Sequence, residues 1–342
     1  MQGMQHPLMR LTDENTIIRL LQKRYPATNA SIEKGIGDDA AVLQLRGAGE
    51  RWSITTDMLL ENIDFRRKWT TPELLGRKAI AVNLSDLAAM GARPRFFTVS
   101  LAIPSDIPES WILKFYDGLT APEASQGAQL IGGDLSRSEG GISISITALG
   151  ESLNGKVLYR SGGRAGDLLY TTGILGRSGA GLHLLQTGHA SRRSRSRREA
   201  LQSHQSPSPR CEAGLWLAQC GFVHCMMDLS DGLSVDLPRL CAASGAGAEL
   251  LLEALPVFHE SRQWGCDPVE LALHGGEDFE LLFAVPRSRR RALETQYPSN
   301  FPKITAIGNL TGNAGRIWMS APGKGRRPLP ERGYDHFRRE TK

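Results

Sequence analysis

The stretch AVNLSDLAAMGARP at residues 81–94 places one carboxylate, Asp86, among small and apolar residues. It belongs to a segment, Glu73 to Met90, that is predicted to be helical, with Pro72 at its start and an interruption near Asn83. A carboxylate in such surroundings is almost never buried without a partner. A metal ion would supply that partner, and the main alternative is an Asp86 side chain that caps a helix N-terminus.

Other motifs along the chain repeat this combination of carboxylates with small neighbours. Several of them end apolar runs that are predicted to be strands, such as residues 51–56 and 223–227. Carboxylates that converge on one place raise one another's pKa, and a divalent cation removes this repulsion. Mg²⁺ suits oxygen ligands and is commonly held by a few carboxylates together with substrate phosphates. The motifs therefore predict a metal-dependent phosphate chemistry; they are GDD (37–39), TTD (55–57), GGD (132–134) and DLSDG (228–232).

Each motif taken alone has another interpretation. Residues 35–41 could form a solvated turn, since Gly and Asp dominate turns. Residues 132–134 are predicted to be a loop whose glycines let a phosphate approach the backbone. Residues 228–232 are the most specific, because two acids and a hydroxyl lie between a strand and a helix start, where amides also bind anions. Residues 275–278 repeat the glycine-then-acid pattern before another strand.

The composition is that of a globular protein with room for two domains. The chain has 342 residues, of which 40% are hydrophobic and 23% charged. It contains no apolar run of membrane-spanning length, and residues 1–11 contain no apolar signal-peptide core. Five scattered cysteines without a CxxC pair predict reduced thiols in a cytoplasmic protein.

Much of the net charge of +5 comes from the Arg/Ser-rich run at residues 191–198. A solvated surface loop is the favoured interpretation, and a nucleic-acid-binding patch is the alternative. The wider segment, residues 187–210, is rich in Ser, Arg and Pro and is predicted to be a mobile insertion or linker.

Several other kinds of site are excluded by the sequence. There is no Walker motif and no kinase HRD or DFG set, so phosphate chemistry would depend on metals and backbone amides. The histidines have no ligand-like spacing and predict neither a zinc site nor a catalytic triad; those considered are His183, His189, His204 and His274. Mixed strands and helices in two segments indicate a two-domain α+β or α/β protein.

Taken together and in order, the motifs resemble the thiamine-monophosphate kinase family over nearly the whole chain. The most specific elements are AVNLSDLAAMGA (81–92), DLSDGL (228–233) and GGEDFEL (275–281). The supporting elements are GIGDDAAVL (35–43), TTDML (55–59), LIGGD (130–134), RSGGRAGDLLYTTG (160–173) and GYDHF (333–337). The wider superfamily, which includes aminoimidazole ribonucleotide synthetase, selenophosphate synthetase and a hydrogenase-maturation protein, shares only the general layout.

The resemblance implies a fold and an activity. The fold is two-domain α+β, of the aminoimidazole ribonucleotide synthetase-like type. Its ATP/Mg-binding domain, residues 1–150, forms the β-structure of a homodimer, and residues 151–342 form an α/β domain that contains the segment 187–210. The implied activity is Mg²⁺-dependent transfer of the γ-phosphoryl group of ATP to thiamine monophosphate, which gives thiamine diphosphate and ADP. The implied location is the cytoplasm, with no membrane or nucleic-acid partner.

The resemblance also assigns roles to individual residues. The Mg²⁺ ligands would be Asp39, Thr55, Thr56, Asp57, Asp86, Asp134, Asp228 and Asp231. The ATP contacts would be Tyr116, Gly133, Asp134, Arg160 and Ser230. Glu277 and Tyr334 would contact the thiamine phosphate, and Asp57, Asp134, Asp228 and Arg160 would form the catalytic set.

Two departures from the family pattern concern the phosphoryl acceptor, which in the family is thiamine monophosphate. Asp64 stands where the family usually has a histidine that helps bind the substrate, so it is predicted to face the cationic thiazolium or a metal rather than a phosphate. The Arg/Ser-rich run before residues 206–210 is the second departure. A non-catalytic ATP- or metal-binding relative, or a same-superfamily enzyme with another acceptor, is therefore the alternative function.

Overall fold

The computed structural model describes residues 14–24, 26, 29–44, 51–189, 194–323, 325–330 and 332–334. The predictions for residues 1–11, for residues 191–193 of the Arg/Ser run and for residues 335–337 of GYDHF lie outside the described residues. Among the described residues, no helix combines the length and apolar character needed to cross a bilayer.

The described chain forms two β-sheets with helices packed on them. The strands are β1 (Ile32–Lys34), β2 (Ala41–Gln44), β3 (Arg51–Leu60), β4 (Ala92–Ile103), β5 (Gln129–Arg137), β6 (Ser143–Ser152), β7 (Leu168–Thr172), β8 (Cys225–Leu229), β9 (Gly247–Leu251), β10 (Glu280–Val285), β11 (Ile304–Thr311), β12 (Ile317–Ser320) and β13 (Arg326–Pro328). The α-helices are α1 (Glu14–Arg24), α2 (Pro72–Ala89), α3 (Glu109–Thr120), α4 (Pro122–Ser125), α5 (Arg177–Gln186), α6 (Arg195–Gln205), α7 (Cys211–Cys220), α8 (Leu233–Ser244), α9 (Pro268–His274) and α10 (Arg290–Gln296).

The first sheet has the strand order β1-β2-β3-β6-β4-β5. Its inner face packs on α2, and the alternation of Ile with Ser or Thr in β6 places Ile144 and Ile146 in this core. The outer face is exposed to solvent at Thr56 and Met58 on β3, and the edge strand β5 is exposed along nearly its whole length, including Ile131, Asp134 and Leu135. The alternation of Ile with Ser or Thr at residues 142–148 predicts a half-buried strand from the sequence, and β6 confirms it.

The second sheet has the order β13-β12-β9-β11-β7-β10-β8. Its strands β7, β8 and β10 are buried along their whole length, which agrees with their nearly continuous apolar sequences. The helix α2 lies between the two halves of the molecule and contacts α7 closely. A Cβ on Gly214 of α7 would lie 2.1 Å from the carbonyl oxygen of Ala88, so only glycine fits there.

Helix α2 runs without a break, and the predicted interruption near Asn83 was wrong. The Asn83 side chain donates a hydrogen bond to the carbonyl of Ala79 at 3.2 Å and accepts one from the N–H of Asp57 at 3.1 Å. Its polar groups are therefore satisfied inside the helix and by β3. Because β3 continues to Leu60, Asp57 lies within the strand rather than at its end.

The Gly132-Gly133-Asp134 motif lies inside strand β5 and not in the predicted loop. A Cβ on Gly133 would lie 2.0 Å from the carbonyl oxygen of Val99 on β4. The glycine therefore allows the backbones of two paired strands to approach each other. This close approach alone explains why a glycine stands at position 133, without a bound phosphate.

The segment 187–210 contains a helix, so the prediction of a linker was wrong for residues 195–205. Ser194 caps α6 by accepting a hydrogen bond from the N–H of Arg197 at 3.2 Å. Ala200 and Leu201 of α6 are buried against α5 and Phe258. Few apolar residues suffice because they fall on one face of the helix.

Candidate functional site

Three carboxylates from separate parts of the chain meet at the interface of the two halves. Asp39 precedes β2, Asp86 lies on α2 and Asp228 lies on β8. Each offers one oxygen, and these three oxygens lie within 4.8 Å of one another. Asp39 and Asp228 are buried and Asp86 is half-buried. We call these residues the carboxylate cluster.

Burial disfavours the ionised form of these three carboxylates when no cation is bound nearby. It raises the pKa of Asp39 to about 7, although Arg160 opposes the change. Burial also raises the pKa of Asp228 to about 6, against the hydrogen bond from Ser85. The pKa of Asp86 lies well above its usual value because of burial and then of the charge on Asp57.

Neighbouring side chains orient the carboxylate cluster. Ser85 Oγ donates to Asp228 Oδ2 at 2.7 Å, and Thr55 Oγ1 donates to Asp86. Arg160 Nε donates to Asp39 Oδ1 at 3.0 Å.

The second oxygen of Asp39, Oδ2, is buried and has no hydrogen-bond partner within the described residues. A buried acceptor without a partner, on a member of the carboxylate cluster, fits a divalent cation with oxygen ligands. The donor set of carboxylates and hydroxyls suits Mg²⁺ better than a softer metal.

The predicted metal ligands fall on two sides of the first sheet. Thr55 and Asp57 belong to the inner face of β3, with the carboxylate cluster, whereas Thr56 is exposed on the outer face and bonds the carbonyl of Ile146 at 3.0 Å. Asp134 is exposed on the edge strand β5, where Ser136 donates to it at 2.9 Å.

Strands β6 and β4 separate β3 from β5, so Asp57 and Asp134 are about 14 Å apart. Within one chain the structure therefore does not bring Asp134, or the neighbouring Gly133, to the carboxylate cluster.

Asp231 lies beside the carboxylate cluster but has another partner. Arg239 donates hydrogen bonds to Asp231 and, at 3.0 Å, to Asp236. The backbone N–H of Tyr334 donates to the carbonyl of Asp231 at 3.2 Å, which brings the predicted acceptor residue Tyr334 to this edge. Ser230 is adjacent, and its carbonyl accepts a hydrogen bond from the N–H of Glu277 at 2.6 Å.

Glu277 is held by two basic residues that sequence reasoning missed. Lys78 Nζ lies 2.6 Å from Glu277 Oε1, and His204 Nδ1 lies 3.0 Å from Glu277 Oε2. Burial opposes ionisation of Glu277, but Lys78 and His204 outweigh it and lower its pKa to about 2. Glu277 also has a φ of 63°, a conformation that is uncommon for a residue with a side chain.

The sequence contains only weak indications that Lys78 and His204 belong to the site. Lys78 is a lysine on the apolar side of a predicted helix, next to Leu75 and Ala79, which indicates a buried and paired cation. From the sequence alone, His204 is interpreted like the other histidines as a surface or core residue. In the structure it is buried, and it also contacts Glu277, a predicted substrate residue.

Asp64 and Tyr116 have local partners. The carboxylate of Asp64 accepts a hydrogen bond from the N–H of Leu60 at 2.7 Å, and its carbonyl accepts one from Lys78 at 3.3 Å. Tyr116 lies on α3 and packs edge-on against Phe115. In the described chain its ring is part of the first core, and no described contact joins it to the carboxylate cluster.

Comparisons with known proteins place the chain in a family. The family models described as AIR synthase related protein, N-terminal domain and C-terminal domain, match residues 37–152 and 164–318. The thiamine-monophosphate kinase of Escherichia coli (strain K12) is 36% identical over 329 residues, which cover 95% of this chain and 98% of that protein. That of Rhodopirellula baltica is 36% identical over 312 residues, with 88% and 90% covered.

Solved structures give the same result. AaThiL complexed with AMPPCP and TMP superposes with a TM-score of 0.82 at 33% identity, covering 97% of this chain and 100% of that chain. Hydrogenase maturation protein HypE in complex with ATP, at 20% identity and a TM-score of 0.64, shares the fold. The two-domain α+β fold predicted from the motifs is confirmed, and the chain belongs to the AIR synthase related proteins and, within them, to the thiamine-monophosphate kinase family.

Proposed function

We propose that the protein transfers the γ-phosphoryl group of ATP to the phosphate of thiamine monophosphate, with Mg²⁺, and releases thiamine diphosphate and ADP. The protein is a phosphotransferase, and this is the last step in making thiamine diphosphate. The observation that supports the proposal most strongly is the carboxylate cluster, whose oxygens lie within 4.8 Å of one another beside Arg160. Its chemistry suits a site for the metal-bound phosphates of a nucleotide.

The inner-face residues would hold the metal. Asp39, Asp57, Asp86 and Asp228 supply carboxylates and Thr55 a hydroxyl. When bound there, Mg²⁺ supplies positive charge that offsets the repulsion between the two polyanionic substrates. Asp231 lies beside the carboxylate cluster and is paired with Arg239. It could become a further metal ligand if the Arg239 side chain moved from Asp231 to the phosphates of the bound nucleotide.

The remaining residues position the substrates. The nucleophile is an oxygen of a phosphate monoester, which is already anionic near neutral pH, so the chain need not supply a strong general base. Arg160 uses two donors of its guanidinium on Asp39 and keeps others for the phosphates of ATP. Ser230 lies at the turn that joins β8 to α8, where backbone amides can bind an anion.

The acceptor binds at Glu277 and Tyr334, on the side of Asp231 and Ser230. Glu277 stays ionised because of Lys78 and His204, so it offers a fixed acceptor for an amino group. Asp64 is turned toward the backbone of Leu60, which keeps a second carboxylate away from the acceptor phosphate. This geometry makes the departure at Asp64 compatible with the same acceptor.

The proposed assembly is a homodimer formed by the outer face of the first sheet. Met58 on this face is 57% exposed, and Ile131 and Leu135 on the edge strand β5 are each 59% exposed, so apolar surface is concentrated on the outer face and the edge of this sheet. Asp134 and Thr56 lie on this same face. In the dimer, the partner's Asp134 and Gly133 complete the nucleotide site, and this removes the conflict between their predicted roles and their distance from the carboxylate cluster.

The domain division and the location belong to the same proposal. The first sheet lies within residues 1–150 except for the end of β6, and the second lies within residues 151–342, which supports a division near that position. Tyr116 is assigned to ATP on the family resemblance alone. The five free cysteines are in keeping with a cytoplasmic enzyme.

A product assay tests the proposal. Purified protein is incubated with ATP, Mg²⁺ and thiamine monophosphate, and thiamine species are separated by chromatography, with unphosphorylated thiamine as a parallel acceptor. We expect thiamine diphosphate from the monophosphate only, and none from Asp57→Asn or Asp228→Asn protein that folds normally. Absence of product from the wild-type protein, with ATP still bound, would refute the assigned acceptor. Near-normal turnover by both variants would refute the metal assignment.

A further inference from the structure

The loop that carries Arg160 is anchored by hydrogen bonds from both halves of the molecule. The carbonyl of Tyr159 accepts a hydrogen bond from the N–H of Met226 on β8 at 2.9 Å. The N–H of Arg160 donates to Asp38 Oδ1 at 3.1 Å, and its carbonyl accepts from Ser244 Oγ at 2.9 Å. Both backbone groups of Arg160 thus have fixed partners, one before β2 and the other at the end of α8.

Ser244 is the last residue of α8 and makes two hydrogen bonds to this loop. Its hydroxyl donates to the carbonyl of Arg160 and accepts from the N–H of Gly163 at 3.1 Å. A serine in a helix can turn its hydroxyl back to a carbonyl of the preceding turn, but here the hydroxyl bonds the loop. Gly245 follows with a φ of 62° and ends the helix, so Ser244 stands at a defined helix terminus.

The rest of the loop lies close against the second sheet. Gly162 has a φ of 109°, and a Cβ on it would lie 2.6 Å from the carbonyl oxygen of His224. The N–H of Arg164 donates to Asp167 Oδ2 at 2.8 Å. The two hydrogen bonds of Ser244 therefore act on a loop whose later residues are already held, and they fix the part that carries Arg160.

The direction of the Arg160 side chain depends on this anchoring. Its Nε donates to Asp39 Oδ1 at 3.0 Å, and the side chain is 21% exposed beside the carboxylate cluster. A planar guanidinium binds phosphate oxygens through parallel N–H groups, so its orientation affects affinity as well as its charge. Because the side chain starts from a backbone held on both sides, loss of one anchor changes where the guanidinium points.

We propose that Ser244 is a positioning residue for ATP, because it fixes the backbone from which Arg160 reaches the phosphates. The inference rests on the proposed function, since it requires Arg160 to contact ATP. The bonds of Ser244 to the loop involve backbone atoms alone, so its effect on the nucleotide passes through Arg160.

Helix α8 supports the nucleotide site at both of its ends. It begins at Leu233, beside the turn that holds Ser230, and it ends at Ser244 about 17 Å away. Ser230 is the predicted ATP contact near the first end, and Arg160 is the one that depends on the second end. One rigid helix thus sets the spacing between two predicted contacts that are 70 residues apart in the sequence.

The test compares Ser244→Ala with Ser244→Thr and with a matched control, Ser138→Ala. Ser138 makes the same pair of bonds in a loop after β5: it donates to the carbonyl of Gly141 at 2.9 Å and accepts from the N–H of Gly140 at 3.1 Å. Binding of the non-hydrolysable ATP analogue AMPPCP is measured by calorimetry with Mg²⁺. We expect Ser244→Ala to weaken it roughly fivefold, in the range that one hydrogen bond contributes.

The two other variants should bind the analogue almost normally. Ser244→Thr keeps the hydroxyl and should restore most of the affinity, and Ser138→Ala should bind like the wild type. Wild-type affinity in Ser244→Ala, or an equal loss in Ser138→Ala, would overturn the proposal. Thermal unfolding shows which variants are folded. If Ser244→Ala does not fold, Ser244→Cys replaces it, because a thiol has nearly the size of a hydroxyl and is a weak hydrogen-bonding group.

Steady-state kinetics separate positioning from a general loss of structure. In Ser244→Ala the KM for ATP should rise by about the same factor as the dissociation constant of the analogue, while kcat and the KM for thiamine monophosphate change less than about twofold. A fall in kcat with an unchanged KM for ATP, or equal rises of both KM values, would show that Ser244 does not act on ATP binding.

A double-mutant cycle shows whether the effect passes through Arg160. Arg160→Met removes the guanidinium and keeps most of the length of the side chain, and it should weaken analogue binding by itself. In that background Ser244→Ala should cause no further loss, because the group that Ser244 positions is absent. A full additional loss in the double variant would contradict the proposal.

The two levels of inference fail in different places. If the wild-type protein does not bind AMPPCP, the proposed function is wrong and the role of Ser244 is wrong with it. If it binds AMPPCP but does not phosphorylate thiamine monophosphate, only the acceptor is wrong, and analogue binding still tests Ser244. If the wild-type protein is active and Ser244→Ala behaves like Ser138→Ala, only the role of Ser244 is wrong.

Discussion

Ser85 on α2 donates its hydroxyl hydrogen to Asp228 on β8 at 2.7 Å, which joins residues 143 positions apart in the sequence. Both side chains are completely or almost completely buried. The bond links the helix that carries Asp86 to the strand that carries Asp228, so it fixes the spacing between two members of the carboxylate cluster. Ser85, directly before Asp86, thus has a structural role of its own.

Removing this hydroxyl should weaken both the fold and the metal site. We expect Ser85→Ala to reduce the free energy of unfolding by about 1–3 kcal/mol, because a buried carboxylate loses its donor. Ser53→Ala is the control, since Ser53 is equally buried but its hydroxyl has no partner within the described residues. Urea unfolding measures both. Equal effects of the two substitutions would contradict the importance of the Ser85–Asp228 bond.

Mg²⁺ should stabilise the protein through the carboxylate cluster. At a Mg²⁺ concentration 100 times the dissociation constant, we expect a gain of about 2.7 kcal/mol in the wild-type protein. Asp86→Asn should abolish the gain, and without Mg²⁺ it should be at least as stable as the wild type because a repulsive charge is gone. Asp167→Asn, a buried carboxylate that pairs with His224 elsewhere, should keep the gain. Thermal unfolding with and without Mg²⁺ measures these differences.

The stability of the metal-free protein should fall as the pH rises through the neutral range. Burial raises the pKa of Asp39 to about 7 and that of Asp228 to about 6, so the folded state binds protons more tightly than the unfolded state does. Their contribution to stability is complete below the usual pKa near 4 and is lost as the pH rises to about 7. Chemical unfolding at pH 5 and pH 8, in the presence of a chelator, should show this loss.

The same protons should compete with Mg²⁺. Since bound metal requires ionised carboxylates, the apparent affinity for Mg²⁺ should weaken up to about tenfold per pH unit for each proton displaced below pH 6. Asp39→Asn should reduce this pH dependence. An affinity that is constant between pH 5 and pH 8 would show that the cluster does not bind the metal.

Glu277 should contribute stability with the opposite dependence on pH. Because Lys78 and His204 lower its pKa to about 2 against the effect of burial, its contribution is present above the usual pKa and is lost as the pH falls from about 4.5 toward 2. Glu277→Gln should cost about 3 kcal/mol at pH 7 and progressively less in acid. Glu212→Gln, an exposed residue on α7, is the control and should cost almost nothing at either pH. Urea titrations between pH 7 and pH 3.5 distinguish the two patterns.

Two inactive variants should complement each other if the dimer shares its sites. Asp134→Asn and Asp228→Asn should each abolish turnover alone, since each site contains Asp228 of one chain and the partner's Asp134. When the two proteins are mixed and exchange subunits, each mixed dimer has one intact site, so thiamine diphosphate formation should return in part. If the mixture stays inactive while subunit exchange is demonstrated by differential labelling, each site takes both residues from one chain.

Disruption of the exposed sheet face should separate the subunits. We expect Met58→Lys to give a monomer in analytical ultracentrifugation, because Met58 is 57% exposed on the outer face and a charge there opposes burial of that face. Turnover should fall with the loss of the dimer. A stable dimer in the variant would show that another surface holds the subunits together.

The elements with strong periodicity could be predicted from the sequence, and those with weak or local signals could not. The alternating Ile residues at 142–148 predict the strand β6, and apolar residues at helical spacing before Pro26 predict a helix that ends near residue 25; both elements are present. Helix α6 was missed because its composition is dominated by Ser and Arg, although Ala200, Leu201 and His204 lie on one helical face. Gly132-Gly133 suggested a loop, but strand pairing with β4 decided its conformation.

The sequence by itself determined the chemistry: which carboxylates stand in motifs, the absence of a P-loop, and the family. Those properties are local, because they depend on residue types at short spacing. Only the tertiary structure decided which motifs meet. It joins Asp39, Asp86 and Asp228, moves Asp134 to the other face of a sheet, and pairs Glu277 with Lys78 and His204. The physical reason is that burial and long-range contacts set the charge and the partner of each group. Neither burial nor long-range contacts can be deduced from the residues adjacent in the sequence.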